Sequence, residues 1–234
     1  MRKLEIFPDA NALAAGAADA FVLALKSSSG PFRVALSGGN TPKALLTRLS
    51  TMNLPWDRLR IFWSDERCVG PDDSESNYKM AHDSFLSRVP VPREHIFRIH
   101  GENPDPAQAA KNYQELMLAE FGASPVFDLI YLGMGPDGHT ASLFPGTPAV
   151  AERKSFVVSN YVESKKAYRV TFTLPLINAA KTVHFLVAGP DKADTARKVL
   201  NEAPSAASPA SLVSPSPGNA VWFLDQAAAS RLKS

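Results

Sequence analysis

The feature that most constrains the fold is a near-continuous apolar run, 127–132, that breaks abruptly into the glycine-rich segment 133–139. Apolar runs of this kind are typical of strands buried on both faces of a parallel sheet. Glycine permits backbone angles that other residues resist, and it lets a ligand approach the main chain closely. Ligands of open α/β sheets bind beyond the carboxyl ends of the strands, so this turn is a candidate site.

Strand and helix patterns alternate along the rest of the chain. Strands are predicted at residues 4–7, 32–36, 58–64, 127–132, 155–160, 167–173, 182–188 and 220–224, with a short edge strand at 96–99. Helices are predicted after the N-caps Asp9, Thr41, Asp105 and Asp225, and over 77–87 and 191–202. The alternation predicts the α/β class, namely a single Rossmann-like α/β/α sandwich with a mainly parallel sheet. We expect residues 1–234 to form one domain.

Composition and charge exclude several classes of protein. The sequence is 45% hydrophobic and 21% charged, as in an ordinary soluble globular protein, and its net charge of +2 is too small to indicate nucleic-acid binding. No apolar run reaches the roughly 18 residues of a membrane span, and the N-terminus lacks the features of a signal peptide. The single cysteine, Cys68, excludes an internal disulfide and a cysteine-based zinc site. We therefore expect a cytoplasmic protein without membrane or nucleic-acid partners.

Two glycine-containing turns are the main candidate sites. Asp137 and His139 lie in the turn after the strand at 127–132, and this pair of side chains can exchange protons near neutral pH. Ser37-Gly-Gly-Asn-Thr41 follows another strand and opens a helix, where free amide groups and the helix dipole favour a phosphate. The same segment could equally be a tight turn without a ligand. It is not a Walker A loop, because the Gly-Lys-Ser/Thr sequence is missing.

Three further positions carry charge at predicted strand ends. Asp65-Glu66-Arg67 directly follows an apolar strand, where charges are often only a solvated rim. Arg169 lies on the strand at 167–173 and Lys192 at the start of a helix, and either could be an ordinary surface cation. Together with the 37–41 turn, however, they would supply the partners that a phosphate monoester requires.

Other patterns carry less weight. The Gly-x-Gly-x-x-Gly spacing of 133–138 matches a dinucleotide fingerprint, but no strand at the usual distance ends in an acidic residue. His184 lies inside a predicted strand and is expected to be a hydrogen-bonded core residue. His82, His95 and His100 have no partner at ligand spacing, so no metal site is predicted.

The ordered set of motifs resembles the 6-phosphogluconolactonase family across nearly the whole chain. The matching segments are 37–42, 64–67, 76–78, 133–145, 169–180, 189–193 and 222–228. Gly-x-Asp-Gly-His-Thr-Ala-Ser-Leu-Phe-Pro at 135–145 is the most specific of them. The resemblance implies hydrolysis of 6-phosphoglucono-1,5-lactone to 6-phosphogluconate in the pentose phosphate pathway, with no cofactor and no metal. The implied partner is a small sugar-phosphate lactone, and the implied assembly is a monomer or small homo-oligomer.

The resemblance also assigns roles to residues. The phosphate would meet Ser37, Gly38, Gly39, Thr41, Arg169 and Lys192, and Asp65 would belong to the same binding surface. His139 would be the general base that activates water, supported by Asp137 and by Arg67. We expect Arg67 to stabilise the oxyanion, with binding of the phosphate or of the sugar hydroxyls as its alternative role.

Two alternatives remain at this stage. Glucosamine-6-phosphate deaminase is similar in fold and in its Asp-Gly-His motif, but its pattern carries a glutamate where this chain has Phe144 and an aromatic residue where it has Arg67. Phenylalanine cannot transfer a proton, so both differences favour the lactonase. A non-catalytic sugar-phosphate sensor is the alternative from another class, and the intact His139 argues against it.

Overall fold

The computed structural model describes residues 2–216 and 218–232. Its main sheet contains six strands, β1 (Arg2–Phe7), β2 (Phe32–Leu36), β3 (Leu59–Trp63), β5 (Leu129–Leu132), β8 (Thr182–Val187) and β9 (Asn219–Asp225). They are arranged in the order β1-β9-β8-β5-β2-β3, and every pairing is parallel. The predicted mainly parallel sheet is therefore confirmed.

The remaining strands form a second sheet of three antiparallel strands. They are β4 (Asp65–Arg67), β6 (Val157–Val162) and β7 (Ala167–Phe172), in the order β4-β7-β6. The strands predicted at 155–160 and 167–173 thus exist, but they form a hairpin beside the main sheet. A three-residue strand at 65–67 was not predicted, because its charged residues resemble a loop.

Seven helices flank the sheet within the described residues: α1 (Ala10–Ser27), α2 (Asn40–Leu49), α3 (Asn77–Ser84), α4 (Pro106–Phe121), α5 (Leu174–Asn178), α6 (Ala193–Asn201) and α7 (Gln226–Ala229). Asp9, Asp105 and Asp225 accept hydrogen bonds from first-turn amides, which confirms them as N-caps. The prediction for Thr41 is wrong. Gly39 occupies the N-cap of α2 with a φ of 104°, a conformation in which glycine is not strained.

Two other predictions need correction. Residues 96–99 do not form a strand, and only a single bridge links Ile96 to Ile61 after a 3₁₀ turn at Arg93–His95. The helix α5 was not expected, because Leu174–Asn178 is short and apolar and follows directly on a strand. Such short apolar segments do not distinguish helix from strand by periodicity.

The core is one cluster of buried apolar side chains that extends from Leu13 to Ala228. Within it, the fully buried ring of Phe127 packs against the rings of Phe62, Phe121 and Phe172. Burial of such aromatic side chains dominates the hydrophobic stabilisation of a domain. The interpretation of residues 1–234 as one domain stays a prediction. No helix in residues 2–216 and 218–232 is long and apolar enough to cross a membrane.

The strand order determines where a ligand can bind. β3 lies on one side of β2 and β5 on the other, so the direction in which the chain winds reverses between β2 and β5. In open α/β sheets the loops diverge at such a reversal and leave a crevice at the carboxyl ends of the strands. The segments 37–41 and 133–139 follow β2 and β5, so both border this crevice.

Candidate active site

A cleft of about 490 Å³ occupies this crevice. Nine of the ten predicted site residues line it, namely Ser37, Gly38, Gly39, Thr41, Asp65, Arg67, His139, Arg169 and Lys192. The tenth, Asp137, contacts the imidazole of His139. Residues from five separate regions of the sequence therefore meet at one end of the sheet, while their roles stay proposals.

Two neighbouring side chains contact the imidazole of His139, one at Nδ1 and one at a face of the ring. Its Nδ1 lies 2.5 Å from Oδ1 of Asp137, and its ring stacks on the buried ring of Phe144 with 4.0 Å between the centroids. Partial burial acts to raise the pKa of Asp137, but the charge and hydrogen bonds of His139 outweigh it and hold that pKa below its usual range. An ionised Asp137 accepts a hydrogen bond from Nδ1–H, and in that tautomer Nε2 carries the lone pair of the imidazole.

The loop that carries His139 is tied to its surroundings. The Thr195 hydroxyl of α6 donates to the carbonyl of Pro136 at 2.6 Å, and the amide of Ala210 donates to the carbonyl of Gly138 at 2.9 Å. Ser208 lies so close to Gly138, whose φ is 81°, that a side chain at Gly138 would crowd it. These contacts fix the backbone on both sides of Asp137 and therefore orient the imidazole.

The same contacts place the described part of the Pro/Ser-rich segment 204–217, a composition that by itself predicts a long surface loop, beside the loop of His139. Its described part contains a 3₁₀ turn at Pro209–Leu212, and Ala210 and Val213 are fully buried. The segment thus supports the loop that carries His139 and is not merely a solvated connection. Pro217 lies outside the described residues.

The 37–41 turn presents main-chain atoms to the cleft. The Ser37 hydroxyl donates to the carbonyl of Tyr131 at 2.7 Å, so its proton is directed into the sheet. A side chain at Gly38 would overlap the amide of Asn77. Gly39 caps α2 without any side-chain hydrogen bond, so the amides of Asn40 and Thr41 remain available at the helix N-terminus.

Asp65 and Glu66 have different surroundings. Asp65 is buried and accepts hydrogen bonds from the Ser142 hydroxyl at 2.7 Å and, through its backbone carbonyl, from Asn77 at 2.9 Å. Glu66 accepts four hydrogen bonds, from Ser76 and from the amides of residues 67, 77 and 78. Burial raises the pKa of Glu66, although these four bonds act to lower it. Glu66 therefore holds the start of α3 against β4, and Asp65 faces the cleft.

Arg67 and Arg169 lie directly opposite each other in the β4–β7 pair. The Arg67 guanidinium donates to the carbonyl of Glu75, and that of Arg169 donates to the carbonyl of Tyr168 at 3.0 Å. Within the described part of the chain, neither guanidinium is paired with a carboxylate. Like charges at directly opposed positions repel each other and destabilise a sheet, unless an anion lies between them.

Lys192 reaches the cleft from the opposite side, after β8. Its ammonium group pairs with Asp191 at 2.8 Å, and Asp191 also lines the cleft. The hydrogen bond from Lys192 lowers the pKa of Asp191. A carboxylate therefore stands beside one of the cations that we expect to bind phosphate.

Several residues that line the cleft were not among the predicted set, and those with side chains of most interest for a ligand are Asn77, Ser142, Phe144 and Lys165. Asn77 and Ser142 lie within the matching motifs at 76–78 and 133–145, so the motifs were the available signal. Nothing in the sequence identified Lys165. No group of three or more histidine, cysteine or carboxylate side chains with the geometry of a metal site occurs in residues 2–216 and 218–232.

The fold and the cleft define the protein's class. The chain belongs to the family of glucosamine-6-phosphate isomerases and 6-phosphogluconolactonases, whose pattern matches residues 8–222. It is 39% identical to the 6-phosphogluconolactonase of Nostoc sp. over 99% of this chain and 98% of that protein. The solved 6-phosphogluconolactonase of Trypanosoma brucei superposes with a TM-score of 0.89 at 27% identity, covering 100% of this chain and 99% of that one.

The fold is shared more widely within the family. A solved monomeric glucosamine-6-phosphate deaminase superposes with a TM-score of 0.85 at 23% identity, covering 98% of this chain and 99% of that one. The fold alone therefore does not separate a lactonase from a deaminase, and the residues of the cleft must do so.

Proposed function

We propose that this protein hydrolyses 6-phospho-D-glucono-1,5-lactone to 6-phospho-D-gluconate, the lactonase step of the oxidative pentose phosphate pathway, without a metal ion. The observation that carries the proposal is the His139–Asp137 pair at the rim of a cleft lined by Arg67, Arg169 and Lys192. The names of the relatives support the same activity. Each step below follows from the chemistry of these side chains.

His139 acts as the general base. Its Nε2 removes a proton from a water molecule, and the water oxygen forms a bond to C1 of the lactone. The C1–O5 bond then breaks, and the imidazolium returns the proton to O5 as the ring opens. General acid–base catalysis of this kind contributes about 10²–10⁴-fold. A lactone is already an activated ester, so a metal ion is not needed to polarise it.

Asp137 and Phe144 keep the imidazole in its working state. The carboxylate stabilises the imidazolium that forms during proton transfer, and its bond to Nδ1 at 2.5 Å fixes the tautomer. The stacked ring of Phe144 restricts rotation of the imidazole.

The cations divide between the two ends of the substrate. Arg67 stabilises the negative charge that develops on the carbonyl oxygen, a contribution of about 3 kcal/mol by comparison with oxyanion-hole donors. Arg169, Lys192 and the amides at the start of α2 bind the phosphate. Because the phosphate is remote from C1, its binding energy positions the carbonyl against the water on His139.

Deamination of glucosamine 6-phosphate is the second candidate, since a solved deaminase shares the fold. The ring of Phe144 packs against His139 at the position where the deaminase pattern places a glutamate. This hydrocarbon ring cannot assist proton transfer during sugar-ring opening. The contact therefore favours the lactonase.

The test is a comparison of two reactions in buffer containing EDTA. Freshly generated 6-phosphogluconolactone is followed for hydrolysis, with spontaneous opening subtracted, and glucosamine 6-phosphate is followed for release of ammonia. We expect accelerated lactone hydrolysis that EDTA does not change, and no ammonia. Ammonia release without lactone hydrolysis would overturn the proposal in favour of the deaminase, and loss of activity in EDTA would overturn its metal-free mechanism.

A further inference from the structure

Lys165 lies at the tip of the hairpin formed by β6 and β7. The turn between the strands spans 163–166 and is closed by a hydrogen bond of 3.0 Å from the amide of Lys166 to the carbonyl of Glu163. Lys165 and Lys166 are both exposed, but only Lys165 lines the cleft. The two neighbouring lysines thus differ in whether they reach the substrate site.

The hairpin is part of the site at its other end. β7 carries Arg169 and is anchored to β4 through the pairs Asp65–Thr171 and Arg67–Arg169. Beyond Arg169 the hairpin has only two strands, since β4 pairs no further, and two-stranded ribbons have little stability of their own. The rings of Tyr161 and Tyr168 pack together there but remain exposed. The tip can therefore adjust to a bound molecule while Arg169 stays in place.

The four non-histidine cations of the cleft differ in their partners. Arg67 and Arg169 donate to backbone carbonyls, and Lys192 pairs with Asp191. The ammonium group of Lys165 makes no hydrogen bond or ion pair with a residue of the described ranges 2–216 and 218–232. An ammonium group on a flexible stem that borders an anion-binding cleft is suited to bind a phosphate oxygen as a point charge.

We propose that Lys165 is a substrate-binding and specificity-determining residue, which contacts the phosphate of the bound sugar phosphate together with Arg169 of the same hairpin. The inference rests on the proposed function, and it assigns to the hairpin tip a share of the preference for phosphorylated over unphosphorylated lactones. Lys165 takes no part in proton transfer. Its loss therefore acts on binding and leaves the pH dependence of turnover unchanged.

The test compares Lys165→Ala with Lys166→Ala, which removes the same charge from the adjacent position. For 6-phosphogluconolactone we expect Lys165→Ala to lower kcat/KM about tenfold, mainly through KM. The rate with unphosphorylated glucono-1,5-lactone should not change, and Lys166→Ala should behave as wild type with both substrates. Equal effects of the two variants, or an equal loss with both lactones, would overturn the inference.

A binding measurement separates this inference from the proposed function. Calorimetric titration with 6-phosphogluconate should show about tenfold weaker binding for Lys165→Ala and unchanged binding for Lys166→Ala. If the wild-type protein hydrolysed no lactone but bound 6-phosphogluconate about tenfold more tightly than Lys165→Ala, the proposed function would fail while the role of Lys165 would stand. Unchanged binding in Lys165→Ala would contradict the role of Lys165 and leave the proposed function intact.

Discussion

Replacement of Asp137 by asparagine tests the proposed role of the Asp137–His139 pair in general-base catalysis. The substitution keeps the size of the side chain and removes its charge, 2.5 Å from Nδ1. With charge centres about 4 Å apart, the attraction between imidazolium and carboxylate is about 1 kcal/mol in bulk water and about 4 kcal/mol in a partly shielded site. The Asp137 side chain is 45% exposed, which places the value near the lower end.

We therefore expect Asp137→Asn to lose about 1–2 kcal/mol of transition-state stabilisation, a decrease of about tenfold in kcat/KM. The loss is smaller than that of a buried catalytic triad, because water replaces part of the lost interaction. Without the carboxylate, the imidazolium that forms during proton transfer is less stable, and this loss of stabilisation is the source of the lower rate. The assay is lactone hydrolysis from pH 5 to pH 8, with spontaneous opening subtracted.

Asp191→Asn is the matched control, because it removes the same charge from the rim of the cleft without touching the Asp137–His139 pair. It should not show the decrease in kcat/KM that we expect for Asp137→Asn. If Asp137→Asn left the rate unchanged, or if both variants lowered kcat/KM equally, a specific role of Asp137 would be refuted.

Two further predictions concern charge elsewhere. Asp191→Asn frees the ammonium of Lys192 for the phosphate and should lower KM several-fold in steady-state kinetics, whereas a higher KM would show that Asp191 itself orients Lys192. Burial between Tyr131 and Phe223 lowers the pKa of His184 from 6.5 to about 4, so the native state binds fewer protons than the unfolded chain between these values. The contribution of His184 to the free energy of unfolding is therefore fully present above pH 6.5, and about 3 kcal/mol of it is lost as the pH falls to 4. Urea unfolding at several pH values should find this pH-dependent contribution missing in His184→Phe.

Local sequence patterns were sufficient for the strands of the main sheet and for most helix starts. The N-caps Asp9, Asp105 and Asp225 are confirmed, because a capping carboxylate acts on amides only two or three residues away. Thr41 is not the N-cap, because α2 begins at Asn40 and Gly39 therefore holds the cap position. The positive φ of Gly39 is a backbone conformation that the propensity of threonine for N-caps does not predict. His184 is a core residue as predicted, but its buried Nδ1 has no partner among the described atoms.

Features that depend on distant parts of the chain were not predictable. The strand β4 exists because Asp65–Arg67 pairs with β7, about a hundred residues later, and this pairing alone sets Arg67 opposite Arg169. The direction of the Ser37 hydroxyl depends on the carbonyl of Tyr131. Likewise, the support that the segment around Ala210 gives to the loop of His139 requires the folded sheet end. The sequence motifs were therefore sufficient to locate the site, whereas the atoms that face the cleft depend on tertiary contacts.

The most direct test of the account is the rate of 6-phosphogluconolactone hydrolysis by wild type and His139→Ala under one set of conditions. The spontaneous rate is subtracted, and circular dichroism and thermal unfolding verify that the variant is folded. We predict a clear enzymatic rate for wild type and a loss of about 10²–10⁴-fold in the variant. A folded His139→Ala protein that hydrolyses the lactone at nearly the wild-type rate would contradict the assignment of His139 as the general base.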